Sequence, residues 1–304
     1  MSDTQPTVGF VGYGEAASCF ARGLSSSGME RINVFCNGPR NHPPYSEKFL
    51  AKLADDGAKP VDSLTALVKS SDIVFSAVLV TNAVEVGMEI AEHVSPTTLV
   101  VDINASPPSA KREVGDAVAA KGGLYVDANL MGAVSIYGHG VQLLSSGPGA
   151  ARLKDDLEPF GLNVDVIGDE VGTSATVKML RSVVTKGMEA LIVEAMTTAR
   201  LAGVTVEAFR GICEPMDATA YSSFADMCIK TDVLHSGRRA TEMEAALDEL
   251  RQVGVEPIMT QATVERLKAS ESLGLRDRFL ESPPATYQEV LDAYAEKMHD
   301  KTTN

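Results

Sequence analysis

The arrangement of apolar residues changes character part-way along the chain, and that change limits the folds open to it. Over residues 1–168 short β-branched runs alternate with helix-like stretches, whereas beyond Gly168 the pattern is helical throughout. The runs are Thr7–Val11, Ile32–Cys36, Asp72–Val78, Thr98–Ile103, Leu124–Val126, Val141–Leu144 and Asn163–Ile167. Between them lie Glu15–Ser26, Ser46–Asp55, Ala83–His93, Pro108–Lys121 and Ala150–Phe160. Continuous apolar strands separated by helices specify a parallel sheet covered on both faces. From Val171 to Ala202 the chain reads as one long Pro-free helix, followed by Val206–Ile212, Asp217–Cys228, Ala240–Val253, Thr260–Leu273 and Tyr287–Lys297. Gly203, Gly254 and Gly274 fall at helix ends, and Pro215, Pro257, Pro283 and Pro284 mark connections. The expectation is an α/β domain over 1–168 and an all-α domain over 169–304, joined by the long helix.

The first strand runs into Gly9-Phe-Val-Gly12-Tyr13-Gly14-Glu15-Ala16-Ala17 and then into a helix. In G-x-G-x-x-A spacing, Gly12 permits the tight turn, Gly14 lets backbone approach a pyrophosphate, and Ala17 keeps the helix close to the strand. The phosphates rest on the free amides at the helix N-terminus, here those of Gly12 to Ala16. The bland alternative is a glycine turn in some other α/β domain. Its place between a first strand and first helix, with more such units following, makes this a Rossmann doubly wound fold that binds a dinucleotide. NAD-binding domains put an acid at the end of the second strand for the ribose hydroxyls. This chain has Asn37, with Arg40 three residues on. Loss of the acid and gain of a guanidinium favour NADP, with NAD the alternative.

Charge excludes two classes of partner. The net charge is −14, which suits neither nucleic-acid phosphates nor an anionic membrane surface. The four cysteines form no C-x-x-C pair and stand with no His at metal spacing, so reduced thiols and no metal site are expected. The segment MSDTQPTVGFVG lacks the basic-then-apolar order of a secretory leader, and no apolar run is long enough to span a bilayer. A cytoplasmic protein acting on a small molecule is expected.

On the long helix Lys178, Arg181, Ser182, Thr185 and Glu189 recur at steps of three and four and form one polar stripe, with Lys186 beside it. A solvated or salt-bridged face is the ordinary fate of such a stripe. Carbonyl reduction by hydride, however, needs a proton donor at the carbonyl oxygen, and a partly buried lysine serves that purpose.

Four segments now stand in order along nearly the whole chain: Gly12–Ala17, Asp102-Ile-Asn104-Ala-Ser106-Pro107, Asp127-Ala-Asn-Leu-Met131-Gly132-Ala133, and Gly172 followed by Lys178. With them the chain resembles the β-hydroxyacid dehydrogenase superfamily, which includes 6-phosphogluconate, 3-hydroxyisobutyrate and tartronate-semialdehyde enzymes, and within it a phosphogluconate-dehydrogenase-like branch. The resemblance implies Lys178 as the general acid/base. It implies Asn104 beside nicotinamide and substrate, Val78 and Leu79 along the cofactor cleft, and Met131, Gly132 and Ala133 as the carboxylate-binding segment. It also implies a homodimer or larger assembly through the helical domains. The chain departs from the family where Met131-Gly132-Ala133 replaces Ser-Gly-Gly, where Ser182 replaces an Asn one turn after the lysine, and where Asp102-Ile-Asn104-Ala105 replaces Asp-x-Ser-Thr. Lys230 and Asp232 resemble the family's Lys-Asp pair with one residue inserted. His235, Arg238 and Arg239 form a basic cluster suited either to an anionic substrate or to pairing near Glu242 and Glu244, and His139 reads as a turn residue.

The expected function is an NAD(P)-dependent oxidoreductase interconverting an alcohol and an aldehyde or ketone on a small, carboxylate-bearing substrate. An imine reductase is the alternative of the same architecture, disfavoured by a lysine where such enzymes carry Asp or Tyr. A non-catalytic dinucleotide sensor is the alternative of another class.

Overall fold

The computed structural model describes residues 5–302, so part of the opening segment read for a leader lies outside the described residues. The first half forms one eight-stranded sheet. Its strands are β1 (Val8–Val11), β2 (Ile32–Phe35), β3 (Lys59–Pro60), β4 (Ile73–Ser76), β5 (Leu99–Asp102), β6 (Leu124–Leu130), β7 (Gln142–Ser146) and β8 (Asn163–Val166). They lie in the order β3-β2-β1-β4-β5-β6-β7-β8. Six strands are parallel, but β7 runs antiparallel to β6 and parallel to β8. The sheet is therefore doubly wound and mostly, rather than wholly, parallel.

The crossover helices are α1 (Glu15–Ser26), α2 (Glu47–Asp55), α3 (Leu64–Lys69), α4 (Ala83–Ala91), α5 (Pro108–Ala120), α6 (Val134–Tyr137) and α7 (Ala150–Leu157). They cover both faces. Phe10, Phe20 and Phe75 anchor one core, with the Phe10 and Phe75 rings stacked at 5.0 Å. Leu67, Ile90, Val114, Val118 and Tyr125 fill the other. The two-residue β3 and six-residue α3 are too short to register in the sequence pattern, although Leu64, Leu67 and Val68 of α3 are buried. Strand β6 runs four residues beyond the expected Leu124–Val126, because it changes neighbours. Its start pairs with β5 (Leu99↔Leu124 to Asp102↔Asp127) and its end with β7 (Asp127↔Ser146 to Leu130↔Leu143). Asp127 and Asn129 disguise that extension as loop, although both are buried.

The helices that follow are α8 (Thr173–Leu201), α9 (Thr205–Asp217), α10 (Tyr221–Gln252), α11 (Ile258–Glu271), α12 (Arg276–Leu280) and α13 (Tyr287–Thr302). One compact unit of the chain ends at Ser182 and the next begins at Val183, so the division falls inside α8. Two expectations are corrected. The helices read over Asp217–Cys228 and Ala240–Val253 are one 32-residue helix, α10. Gly237 does not break it, and the Glu271 carboxylate occupies the space a Cβ there would need. Pro215 lies inside α9 near its end rather than in a connection. In the second unit Val233, Leu273, Phe279, Val290 and Tyr294 form a small core. Glu194 accepts the Met259 and Thr260 amides at 2.7 and 2.9 Å and so caps α11. No helix among the described residues is long and apolar enough to cross a membrane.

Candidate cofactor and active site

The glycine turn works through missing side chains. Gly12 has φ +87°, donates its N–H to Phe35 O at 2.8 Å, and would drive a Cβ into the Ala77 carbonyl. Gly14 caps α1 with no side chain bonded to the helix end, and a Cβ there would meet nothing within 4 Å. The first-turn amides, including those of Glu15 and Ala16, thus have no side-chain acceptor, and the space before them is open. That cradle fits a pyrophosphate. Tyr13 contributes only backbone to it, since its ring is turned inward. Its hydroxyl donates to Asp56 Oδ2 at 2.9 Å, and burial together with that carboxylate holds the phenol well above its ordinary pKa. Arg22 Nε also binds Asp56, at 2.8 Å, so the turn is tied to α2. Asn37 and Arg40 follow β2 in exposed positions, and Arg40 makes no ion pair among the described residues.

Next along the strand ends, Asn104 is buried and bonded throughout. Its Oδ1 accepts the Val78 amide at 2.7 Å, and its Nδ2 donates to Ser76 Oγ at 2.9 Å and Asp102 Oδ1 at 2.7 Å. The side chain therefore clasps the ends of β4 and β5 and has no donor left over. Beyond Val78, Leu79 projects into solvent at 73% exposure.

The sequence reading missed the network beneath this loop. Lys111, on α5, has no exposed surface. Its Nζ donates to the Asp102 carbonyl at 2.7 Å and lies 3.0 Å from Asp102 Oδ1 and 3.5 Å from Asp127 Oδ1. Tyr125 donates its hydroxyl to Asp102 Oδ2 at 2.8 Å. Asp127 Oδ2 accepts the amides of Gly172 and Ala175 at 3.2 and 2.9 Å, which places a carboxylate at the N-terminus of α8. Asn129 Nδ2 joins Asp127 to Ser174 Oγ at 2.8 and 3.0 Å, and Ser174 in turn binds Ser146 and Leu144. One signal was available: Lys111 stands in the inward register of Val114 and Val118, where an apolar residue is the rule.

Lys178 is one turn into the helix so anchored. Its pKa is lowered, first by burial, then by the charges of Lys111 and Arg181, with Asp127 acting in opposition. The neighbouring Arg181 donates through Nη1 to the Met131 carbonyl at 3.0 Å, which brings the Met131 segment to the lysine helix. Met131 N–H in turn donates to Gln142 O at 2.9 Å. Gly132 lies under the Tyr137 ring, where a Cβ would approach it to 2.8 Å, and Ala133 is exposed at the start of α6. Ser182 is half-buried on α8, one turn beyond Lys178. Among the described residues no three His, Cys, Asp or Glu side chains group as metal ligands would.

The other candidates fall elsewhere. His139 sits in a short turn against Gly23 and Gly161, where a Cβ on either glycine would strike its ring. In the second unit Lys230 pairs with Asp226 at 2.8 Å, and Asp232 accepts the Tyr294 hydroxyl at 2.5 Å. Arg238 pairs with Glu242, Arg239 donates to Thr231 Oγ1 at 2.9 Å, and His235 lines a pocket with Arg238, Glu271 and Arg276.

A mostly parallel sheet with an open, glycine-lined helix N-terminus after its first strand defines a dinucleotide-binding α/β protein. Residues 7–168 match the family described as the NAD binding domain of 6-phosphogluconate dehydrogenase. Residues 199–270 match a domain of unknown function (DUF1932). An uncharacterized 28.5 kDa protein of Methanothermus fervidus is 30% identical over 268 residues, 87% of this chain and 98% of that one. L-Threonate dehydrogenase of Escherichia coli is 28% identical over 209 residues, so the match takes in 66% of this chain and only 64% of that enzyme. A conserved hypothetical protein of Sinorhizobium meliloti superposes with TM-score 0.64 at 27% identity across 97% of both chains. An imine reductase of Myxococcus stipitatus superposes with TM-score 0.73 over 91% of this chain and 100% of that one, but at 19% identity this is a likeness of fold alone. The chain belongs to the β-hydroxyacid dehydrogenase superfamily. It is an NAD(P)-binding oxidoreductase of the 3-hydroxyacid dehydrogenase type.

Proposed function

We propose that the protein is an NADP-dependent dehydrogenase or reductase that interconverts an alcohol and an aldehyde or ketone on a small hydroxy acid, with Lys178 as general acid/base. The observation that carries this is the half-buried Lys178, whose lowered pKa leaves more of the neutral amine at a given pH than an exposed lysine has. A bound nicotinamide supplies or accepts the hydride. In the oxidation Nζ of neutral Lys178 takes the proton of the substrate hydroxyl as hydride leaves the adjacent carbon. In the reduction the same Nζ, protonated, returns it to the oxygen. Gly12, Gly14 and the amides to Ala16 bind the pyrophosphate. Asn104 acts by fixing the Val78 and Leu79 loop. Asn37 and Arg40 support NADP, since neither repels a 2′-phosphate and the guanidinium attracts it.

A homodimer formed through the second unit and a cytoplasmic setting complete the reading. The first is supported by exposed Val183, Ile192, Val193, Val206 and Phe209 on α8 and α9, and the second by four unpaired cysteines. Parallel fluorescence titrations with NADPH and NADH test the cofactor, with tighter NADPH binding expected. Lys178→Ala is expected to lower turnover by roughly 10²- to 10⁴-fold while NADPH affinity holds. Full turnover in that variant would remove the lysine from the mechanism, and turnover of a cyclic imine in place of a hydroxy acid would favour the imine-reductase reading.

A further inference from the structure

Arg181 spends one of its five donors on the protein. Nη1 binds the Met131 carbonyl, and that peptide is fixed in turn by its own amide on β7. The side chain is otherwise exposed and pairs with no carboxylate among the described residues, although the chain holds 41 acidic side chains against 27 basic ones. A guanidinium held at one corner keeps a planar edge free for a bidentate partner. It also stands three residues after Lys178, and side chains at that spacing share a helix face with Cβ atoms about 5–6 Å apart. The charges that act on Lys178 are two cations, Lys111 and Arg181, against one carboxylate, Asp127, in a molecule of net charge −14.

We propose that Arg181 is the substrate-carboxylate receptor of this site, holding the acid group of a short hydroxy acid one helical turn from the Lys178 amine that handles its hydroxyl proton. This rests on the reading of Lys178 given above and adds a residue to it. The role cannot fall to the Met131 side chain, because a thioether offers no donor to a carboxylate. Ala133 likewise presents only a methyl group. Arg181 donates to the Met131 carbonyl of this same segment, so the helix supplies the charged donor that the segment's side chains lack.

The test uses the full chain loaded with NADP+, titrated calorimetrically with L-threonate, 3-hydroxyisobutyrate and the methyl ester of each. Wild type is expected to bind at least one acid, and its ester about 10- to 100-fold more weakly, as for losing a hydrogen-bonded charge pair. Arg181→Gln should lose the same factor for the acid and no longer distinguish acid from ester. Arg181→Lys should recover only part of the loss, because an ammonium cannot replace the planar fork. Unchanged NADPH affinity in both variants shows that the fold is retained. A merely structural arginine would weaken acid and ester alike. That result, acid binding retained in Arg181→Gln, or a wild type that binds neither acid, overturns the proposal. If Arg181→Gln is silent while Lys178→Ala is inactive, this proposal alone falls; if Lys178→Ala also turns over normally, the lysine mechanism falls on separate grounds.

Discussion

Two neighbouring parts of the first unit are built by opposite means. The turn between β1 and α1 functions through absence: Gly12 and Gly14 clear a space, and the groups that face it are backbone amides. The start of α8 functions through presence, with Asp102, Lys111, Tyr125, Asp127, Asn129 and Ser174 filling a space no solvent reaches. The first design is intolerant of added atoms and the second of lost charge. On the function proposed, the first serves an anionic cofactor and the second a lysine whose pKa is lowered. The substitutions below separate the two by the kind of change each tolerates.

The largest effect is expected at Lys111. Lys111→Met keeps much of the length and removes the ammonium between two buried carboxylates. Breaking a buried pair in this way costs about 3–5 kcal/mol, because an uncompensated charge stays behind. Denaturant unfolding should register it. A change below about 1 kcal/mol would mean that water already relaxes the network, and that the start of α8 tolerates lost charge after all.

The glycine turn should respond less in stability and more in ligand binding. Gly12→Ala puts a Cβ against the Ala77 carbonyl and forces a non-glycine residue to φ +87°, at about 1–3 kcal/mol. Gly14→Ala sharpens the comparison, since its Cβ meets no protein atom within 4 Å. Its stability should stay within about 0.5 kcal/mol of wild type, while NADPH affinity falls because the methyl group enters the space left for the pyrophosphate. Normal NADPH binding by Gly14→Ala would show that the phosphates lie elsewhere.

These differences also explain what the sequence could disclose. Glycine spacing, β-branched runs and the Glu15–Ser26 helix are local signals, so the alternating fold and the cofactor turn were legible. Lys178 was singled out from helix spacing only with the help of family resemblance. The network that tunes it was not, because Asp102, Lys111 and Asp127 lie on β5, α5 and β6 and meet only when those elements pack. Asp127 and Asn129 misled further, since polar residues inside a strand read as loop until their buried partners are known. In the second unit the helical pattern read as stopping at Cys228 and resuming at Ala240, with the basic cluster of His235, Arg238 and Arg239 between. Charged side chains are good helix formers, and α10 runs through it unbroken.

The smallest effect expected is a displacement of the pH profile, and its sign tests the electrostatics directly. Asp127 is the one named neighbour that raises the Lys178 pKa, against burial and the charges of Lys111 and Arg181. Asp127→Asn removes that negative charge and leaves an oxygen able to accept the Gly172 and Ala175 amides, at the loss of the oxygen that accepts from Asn129. The neutral amine should then appear at lower pH. On the proposed mechanism oxidation needs neutral Lys178 and should rise on a limb moved to lower pH, while reduction needs its protonated form and should decline from a lower pH as well. Arg181→Gln removes a cation and should move both limbs the other way. Since the two substitutions remove opposite charges that act on the same amine, opposite displacements tie both limbs to Lys178. Displacement of both in one direction would assign the titration to another group.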